Sequence, residues 1–312
     1  MPQLSGDFFL TDGGIETTLI FLEGLDLPYF ASFPLLKTED GQTALRKYFR
    51  TYVELAQRFG TGLILESATW RASADWGSKL GYGAEELRDI NRKSITLLED
   101  IRSESGIAAG KIVISGCVGP RGDGYNPSKT MSEGEAEGYH GDQIIVFENT
   151  AADMITAITM NYTEEALGIT KAAQRAGMPA VISFTVETNG QLPTGQTLRA
   201  AIEQIDAETS SYPSYYMLNC AHPTHFEDVL AADQPWSKRI RGLRTNASRK
   251  SHTELNESPE LDIGDPTELA QQNAQLKCRH PQLCVLGGCC GTDHRHIEQI
   301  AAACTPLFNG LA

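Results

Sequence analysis

The sequence is poor in positive charge and in long apolar segments. Its 26 Lys and Arg residues stand against 40 Asp and Glu residues, a formal net charge of −14, and no basic run occurs. Because nucleic-acid surfaces depend on clustered Lys and Arg, we expect no nucleic-acid partner. No segment approaches the roughly eighteen apolar residues of a membrane span, so we expect no membrane partner either.

A secretory signal is missing as well. Residues 1–7, MPQLSGD, lack the charged and apolar regions of a signal peptide. The seven cysteines are an odd number, which without a signal favours a reducing compartment where thiols stay available. We therefore expect a cytoplasmic protein.

Length and composition are typical of one soluble globular domain. The 312 residues are 41% hydrophobic and 21% charged, enough to bury a substantial core. Barrels of alternating strands and helices often use this length as a single domain. We predict one domain over residues 1–312, and the sequence gives no indication of its oligomeric state.

A short apolar run followed by a segment with helical spacing repeats along the chain. The eight predicted strands are 8–13, 62–69, 111–118, 152–159, 180–187, 215–220, 240–245 and 283–289. The predicted helices are 43–59, 84–105, 132–148, 164–175, 196–210, 266–279 and 293–303. Eight such units are typical of an α/β TIM (β/α)8 barrel, although a doubly wound open sheet would show the same alternation.

Polar side chains at the ends of the predicted strands favour the barrel. In a barrel the C-terminal strand ends converge on one face, where its active sites are built. The residues at these ends are Asp12, Ser67, Thr69, Glu187, Cys220, Asn246, Cys289 and Cys290.

Cys220 and the adjacent pair Cys289 and Cys290 carry the clearest chemical signal. Three thiolates on Zn²⁺ leave one tetrahedral position open, which is typical of a catalytic zinc site. Cys220 lies about seventy residues before the pair, unlike the close spacing of a zinc finger, so only a large fold would bring the three together. The alternatives are small buried hydrophobes and a disulfide within the pair, which its geometry disfavours.

Three motifs, in this order across almost the whole chain, resemble the homocysteine S-methyltransferase family: Asp12-Gly-Gly-Ile-Glu-Thr, Asn219-Cys220 and Gly287-Gly-Cys-Cys-Gly-Thr. Gly119-Pro120 and Asn246 also match the family pattern. The resemblance implies a zinc-dependent TIM barrel that transfers a methyl group to the sulfur of homocysteine, giving methionine. The implied partners are two small molecules, a thiol acceptor and a methyl donor.

The family uses several methyl donors. Cobalamin and folate modules have no room in this chain, so we expect a small onium donor of the S-methylmethionine, S-adenosylmethionine or betaine type, unless a separate corrinoid protein docks. In this reading Cys220, Cys289 and Cys290 hold Zn²⁺ and the substrate sulfur takes the fourth position, where it is deprotonated. In-line methyl transfer then depends on alignment more than on acid/base help. His222 and His225 are expected to support the site without binding the metal.

The resemblance also implies how the amino acid is held. Asp12 would bind the ammonium group and Gly13 would allow backbone approach; the alternative for Asp12 is a helix N-cap or a turn residue. The family places a glutamate at the end of the fourth strand for the same ammonium group, where this chain has Ile158. A buried ammonium group needs a carboxylate, so we predict that Glu187 replaces it, with Glu66 as the alternative.

Ser67, Trp70 and Asn246 complete the predicted substrate site. Aromatic residues in the loops after the second and third strands form a candidate cation-binding surface, or else pack ordinarily: Trp70, Trp76, Tyr82 and Tyr125. Arg71 would disfavour a cationic donor if it pointed inward, and could then meet a carboxylate of the donor or of the acceptor. Two other functions stay open: methyl transfer to a different thiol or selenol, and zinc binding without methyl transfer.

Overall fold

Eight parallel strands form a closed barrel in chain order. The structure, a computed structural model, describes residues 1–108, 110–127, 129–230, 234–256 and 260–308. The strands are β1 Phe9–Leu10, β2 Gly62–Glu66, β3 Ile112–Val118, β4 Met154–Met160, β5 Ala180–Phe184, β6 Tyr215–Asn219, β7 Ile240–Thr245 and β8 Val285–Gly288. The predicted single-domain TIM barrel is confirmed, and β1 pairs with β8 rather than leaving an open edge.

Helices cover the outside of the barrel. They are α1 Ile15–Phe21, α2 Glu39–Phe59, α3 Ala74–Lys79, α4 Ala84–Glu104, α5 Glu133–Glu148, α6 Thr163–Ala176, α7 Leu198–Thr209, α8 Pro223–Leu230, α9 His252–Asn256, α10 Pro266–Arg279 and α11 His294–Phe308. All seven predicted helices are present, and α1, α3, α8 and α9 are additional. No helix in the described part of the chain is both long and apolar enough to cross a membrane.

Helix α5 forms despite three glycines in its sequence. Ser132 and Glu135 make a reciprocal capping box at its start, which satisfies backbone donors that the helix leaves free. Its packing against α6 requires a glycine, since a Cβ on Gly168 would come within 2.6 Å of the Glu133 carbonyl oxygen. Capping and close helix packing thus outweigh the low intrinsic propensity.

Two apolar layers separate the inside of the barrel from its outside. On β2, Leu63 and Leu65 belong to the cluster between strands and helices, whereas Ile64 belongs to the cluster inside the barrel. Because side chains alternate along a strand, Glu66, two residues after Ile64, also points inward. Buried polar side chains also occur on other strands: Ser115, Thr156, Ser183, Asn219 and Arg244. The barrel interior is therefore apolar at one end and polar toward the C-terminal face.

Candidate active site

The sulfurs of Cys220, Cys289 and Cys290 converge at the C-terminal face of the barrel. All three Sγ atoms lie within 4.8 Å of one another. Cys220 directly follows β6, and the pair directly follows β8. Strand β7 lies between β6 and β8 and holds both segments. The Cys220 amide donates to the Arg244 carbonyl, and the Cys289 amide donates to the Thr245 carbonyl.

The spacing of these sulfurs fits a tetrahedral metal centre once the cysteines are reduced. A Zn–S bond of about 2.3 Å in tetrahedral geometry separates two sulfurs by about 3.8 Å. The Sγ atoms of Cys220 and Cys290 are 3.8 Å apart. The Sγ atoms of Cys220 and Cys289 lie in direct contact, and both cysteines must be in the thiol form for all three thiolates to bind one ion. Cys290 is a free thiol, so no disulfide forms within the adjacent pair.

An unusual backbone conformation presents Cys220 to the cavity. Cys220 and Thr159 are non-glycine residues with φ values of 53° and 66°, a region that costs about 1–3 kcal/mol and is found mainly at functional sites. Asn219 holds both segments: its Oδ1 accepts from the Thr159 amide at 2.9 Å, and its Nδ2 donates to the Thr159 hydroxyl at 2.8 Å. The Asn219-Cys220 motif thus has a structural reason, because Asn219 fixes the loop that carries the thiol.

A cavity of about 370 Å³ opens beside the three sulfurs, within the usual range for a small-molecule site. Among the described residues its lining includes two guanidinium groups, Arg71 and Arg244, and six carboxylates: Asp12, Glu16, Glu66, Asp123, Glu260 and Asp262. Acidic residues that line a cleft with apolar walls concentrate positively charged ligands. Carboxylates therefore outnumber guanidinium groups around the cavity, and burial raises the pKa of Asp12, Glu16 and Glu66.

Asp12 lines this cavity, as predicted, but its charge is already balanced by Arg244. An Arg244 guanidinium nitrogen donates to Asp12 Oδ1 at 2.6 Å, and the Tyr48 hydroxyl donates to Oδ2 at 2.9 Å. Burial lowers the pKa of Arg244, but the charges of Asp12 and Glu66 more than offset this and raise it. The N-cap alternative is wrong, because α1 begins after Gly14 without a side-chain cap. Arg244 is not among the predicted site residues, because it lies inside a predicted strand.

Glu66 is a cavity carboxylate that makes no direct hydrogen bond within the described residues. It is 5% exposed, and neither of its oxygens has a hydrogen-bond partner within the described residues. Burial raises the pKa of Glu66 to about 7; the positive charge of Arg244 and the hydroxyls of Ser115 and Thr156 lower it in part, and Asp12 raises it. Those two hydroxyls are bonded to each other at 2.7 Å.

This pKa predicts a pH dependence of stability in the ligand-free protein. The folded-state pKa of Glu66 lies above its ordinary value of 4.5. The stability that this carboxyl group contributes is therefore fully present below pH 4.5 and is lost as pH rises through about 7. Relative to Glu66→Gln, the free energy of unfolding should fall by about 3 kcal/mol between pH 4.5 and 8. Urea denaturation of both proteins across this range measures the difference. Parallel curves would contradict the raised pKa.

Two predicted substrate residues lie outside the cavity lining. Strand β5 ends at Phe184, three residues earlier than predicted, and Glu187 turns away into a tight loop closed by the Gly190 amide. There Glu187 Oε1 lies 3.1 Å from His252 Nδ1, and His252 Nε2 donates to the Cys220 carbonyl at 2.8 Å. Asn246 is buried and is likewise absent from the lining. The structure therefore does not bring Glu187 to the position that the sequence reading gave it.

Arg71 occupies the aromatic surface that was predicted to bind a cation. Its guanidinium carbon lies 4.8 Å from the centroid of the Trp70 ring and 3.9 Å from that of Trp76. Trp70 and Arg71 line the cavity, whereas Trp76 and Tyr82 do not. The guanidinium group of Arg71 therefore covers the indole faces of Trp70 and Trp76.

Tyr125 contacts the thiol centre, a role that the sequence reading did not foresee. Its hydroxyl lies 3.3 Å from the sulfur of Cys290, and its ring stacks on that of His252 at a centroid distance of 4.0 Å. Burial raises the pKa of the Cys290 thiol. Without a bound cation this thiol is therefore neutral near pH 7, and Tyr125 is placed to donate to it once it is ionised.

The remaining predicted residues are placed as follows. Gly13, Ser67 and Ile158 line the cavity, so the end of β4 offers no carboxylate. Ser67 also accepts from the Cys117 amide at 2.8 Å. The two histidines near Cys220 are outside the thiol cluster: His225 bonds the Arg249 carbonyl, and His222 lies beside Thr224.

The protein is an eight-stranded α/β barrel, and its C-terminal face carries a three-thiol centre beside a small-molecule cavity. This is the architecture of a barrel enzyme. The chain belongs to the homocysteine S-methyltransferase family, whose model, described as "Homocysteine S-methyltransferase", matches residues 9–304. The resemblance seen in the sequence motifs is confirmed. No curated protein matches the chain.

Solved structures of the homocysteine methyltransferase MmuM from Escherichia coli are similar to this chain over nearly its full length. The metallated form has a TM-score of 0.73 at 17% identity, covering 95% of this chain and 96% of that one. The oxidized form has a TM-score of 0.76 at 18% identity, covering 96% of each chain. At this identity the likeness shows the shared fold.

Proposed function

We propose that the protein is a zinc-dependent S-methyltransferase that transfers a methyl group from a small onium donor to the thiolate of homocysteine, giving methionine. The observation that supports it is the convergence of three cysteine sulfurs within 4.8 Å beside an acidic cavity of about 370 Å³. Membership of the homocysteine S-methyltransferase family supports homocysteine as the acceptor.

The three cysteines are the residues that would hold zinc. Three thiolates suit Zn²⁺ and leave one position for a substrate sulfur, and bound zinc would keep that sulfur deprotonated and nucleophilic near pH 7. The neutral state that burial imposes on Cys290 means that a cation is needed to ionise this centre.

The cavity residues position the two substrates. Its carboxylates attract the positive charge of an onium donor, and apolar side chains at the cavity wall, such as Ile15, Phe30 and Ile158, limit access of water. In the transfer the acceptor sulfur forms a bond to the methyl carbon while the bond from that carbon to the donor's sulfur or nitrogen breaks. The electron pair leaves with the donor, which becomes neutral at that atom, so no general acid is required.

Other functions carry less support. A different thiol or selenol acceptor would account for Ile158 at the end of β4, and a corrinoid partner would replace the onium donor. The non-catalytic alternative is a barrel that binds zinc but has lost methyl transfer. The cytoplasmic location and the absence of nucleic-acid partners stay predictions.

The first test is metal content together with transfer. Purified under reducing conditions, the protein should hold about one zinc per chain and methylate homocysteine with one of S-methylmethionine, S-adenosylmethionine or betaine. Product methionine is measured by mass spectrometry. Zinc without transfer from any donor would favour a different acceptor or a corrinoid partner, and a metal-free reduced protein would refute the zinc centre.

A further inference from the structure

The inside of the barrel mouth holds a carboxylate with no counter-charge of its own. Glu66 is 5% exposed, lines the cavity and has no hydrogen-bond partner at either oxygen in the described chain. A buried polar group without a partner is costly, and a buried carboxylate remains in proteins when it is paired or functional. The arrangement calls for a ligand that supplies hydrogen-bond donors.

The protein's own cations do not fill this role. Arg244, which influences Glu66 through its charge, is committed to Asp12 at 2.6 Å and to the Gly288 carbonyl at 3.1 Å. Arg71 lies against the indole rings of Trp70 and Trp76. No ion pair within 4.0 Å joins Glu66 to any described Lys, Arg or His.

The same cavity reaches the three sulfurs. Glu66, Cys220, Cys289 and Cys290 all line it, and the cavity has the size of a small molecule. One ligand can therefore place a sulfur at the thiol centre and a second group against Glu66. A primary ammonium group suits Glu66, because it offers three donors and a full positive charge.

We propose that Glu66 binds the ammonium group of the thiol acceptor, which makes the acceptor an aminothiol and Glu66 the residue that selects it. This inference rests on the proposed methyl transfer and deepens it. It assigns the role to β2, away from Ile158 on β4 and away from Glu187, which pairs with His252 outside the cavity.

The test compares two acceptors that differ only in the ammonium group, homocysteine and 4-mercaptobutanoate. Wild-type protein should prefer homocysteine in kcat/KM. In Glu66→Gln, kcat/KM for homocysteine should fall about 10- to 100-fold, while that for 4-mercaptobutanoate stays the same or rises. Glu187→Gln is the matched control, because it neutralises a carboxylate outside the cavity and should leave the ratio between the two acceptors unchanged.

A second variant separates recognition from damage to the fold. Glu66→Gln/Ile158→Glu returns one carboxylate to the cavity from β4, two strands away from β2, and it should restore part of the preference for homocysteine. Equal losses for both acceptors in Glu66→Gln would overturn the proposal. So would a shift of the ratio in Glu187→Gln with none in Glu66→Gln.

Binding distinguishes failure of this inference from failure of the proposed function. If no donor supports transfer, calorimetric titration of the zinc-loaded protein with both thiols still reads the preference and its loss in Glu66→Gln. Selective binding of homocysteine that depends on Glu66 would support the aminothiol site without methyl transfer. Equal binding of both thiols to wild-type protein would refute it.

Discussion

Cys290→Ser is expected to lose bound zinc and methyl transfer while the barrel remains folded. The variant removes one of three thiolates, and a serine hydroxyl is a far weaker zinc ligand than a thiolate. Changing a residue that only supports a metal ligand already costs about 10- to 100-fold in affinity or activity, so loss of a ligand should exceed 100-fold. The fold should tolerate the change, since Cys290 is half-buried and its side-chain contacts are to Tyr125 and Cys220.

Cys278→Ser is the matched control for this variant. Cys278 is an exposed free cysteine far from the barrel mouth, on helix α10. Zinc per chain, the affinity against a competing chelator and the rate of transfer should match wild type. If Cys290→Ser kept its zinc and its rate, the three-thiolate centre would be refuted, whatever the effect of replacing Cys220 or Cys289.

The barrel and the meeting of the three cysteines could be predicted because both follow from simple regularities. Alternating apolar runs and helical segments specify the strand and helix order, and strand ends in a barrel share one face. That rule alone joins Cys220 to Cys289, although 69 residues separate them. Metal-ligand chemistry then needs only residue types, which a sequence shows directly.

The acidic lining could not be predicted in the same way, because it depends on which face each side chain takes and where each strand ends. Glu187 was placed in the site by extending β5 from Phe184 to residue 187, and those three residues instead turn away. Arg244 looked like part of an ordinary strand, although its even spacing from Gly242 puts it on the inner face. Its partner Asp12 is 232 residues away, and no local pattern indicates such a pair.

Arg244→Met is expected to destabilise the protein by about 3–5 kcal/mol, because it leaves a buried charge without its partner. Asp12 is 2% exposed and Arg244 6% exposed, and their side chains meet at 2.6 Å. The variant also removes the donor to the Gly288 carbonyl. The free energy of unfolding from urea denaturation measures the effect. Arg50→Met breaks the exposed pair with Glu104 and should cost less than about 1 kcal/mol.

The double variant Asp12→Asn/Arg244→Met decides why the pair is kept. Replacing both charges of a buried pair is often neutral, whereas removing one is not, so the double variant should recover most of the stability lost in Arg244→Met. If stability returns while transfer to homocysteine stays low, the pair serves to set the charge and shape of the cavity beside Glu66. If Arg244→Met lowers the free energy of unfolding no more than Arg50→Met does, the pair does not stabilise the fold. In that case Asp12 would be free to bind substrate as the sequence motif predicted.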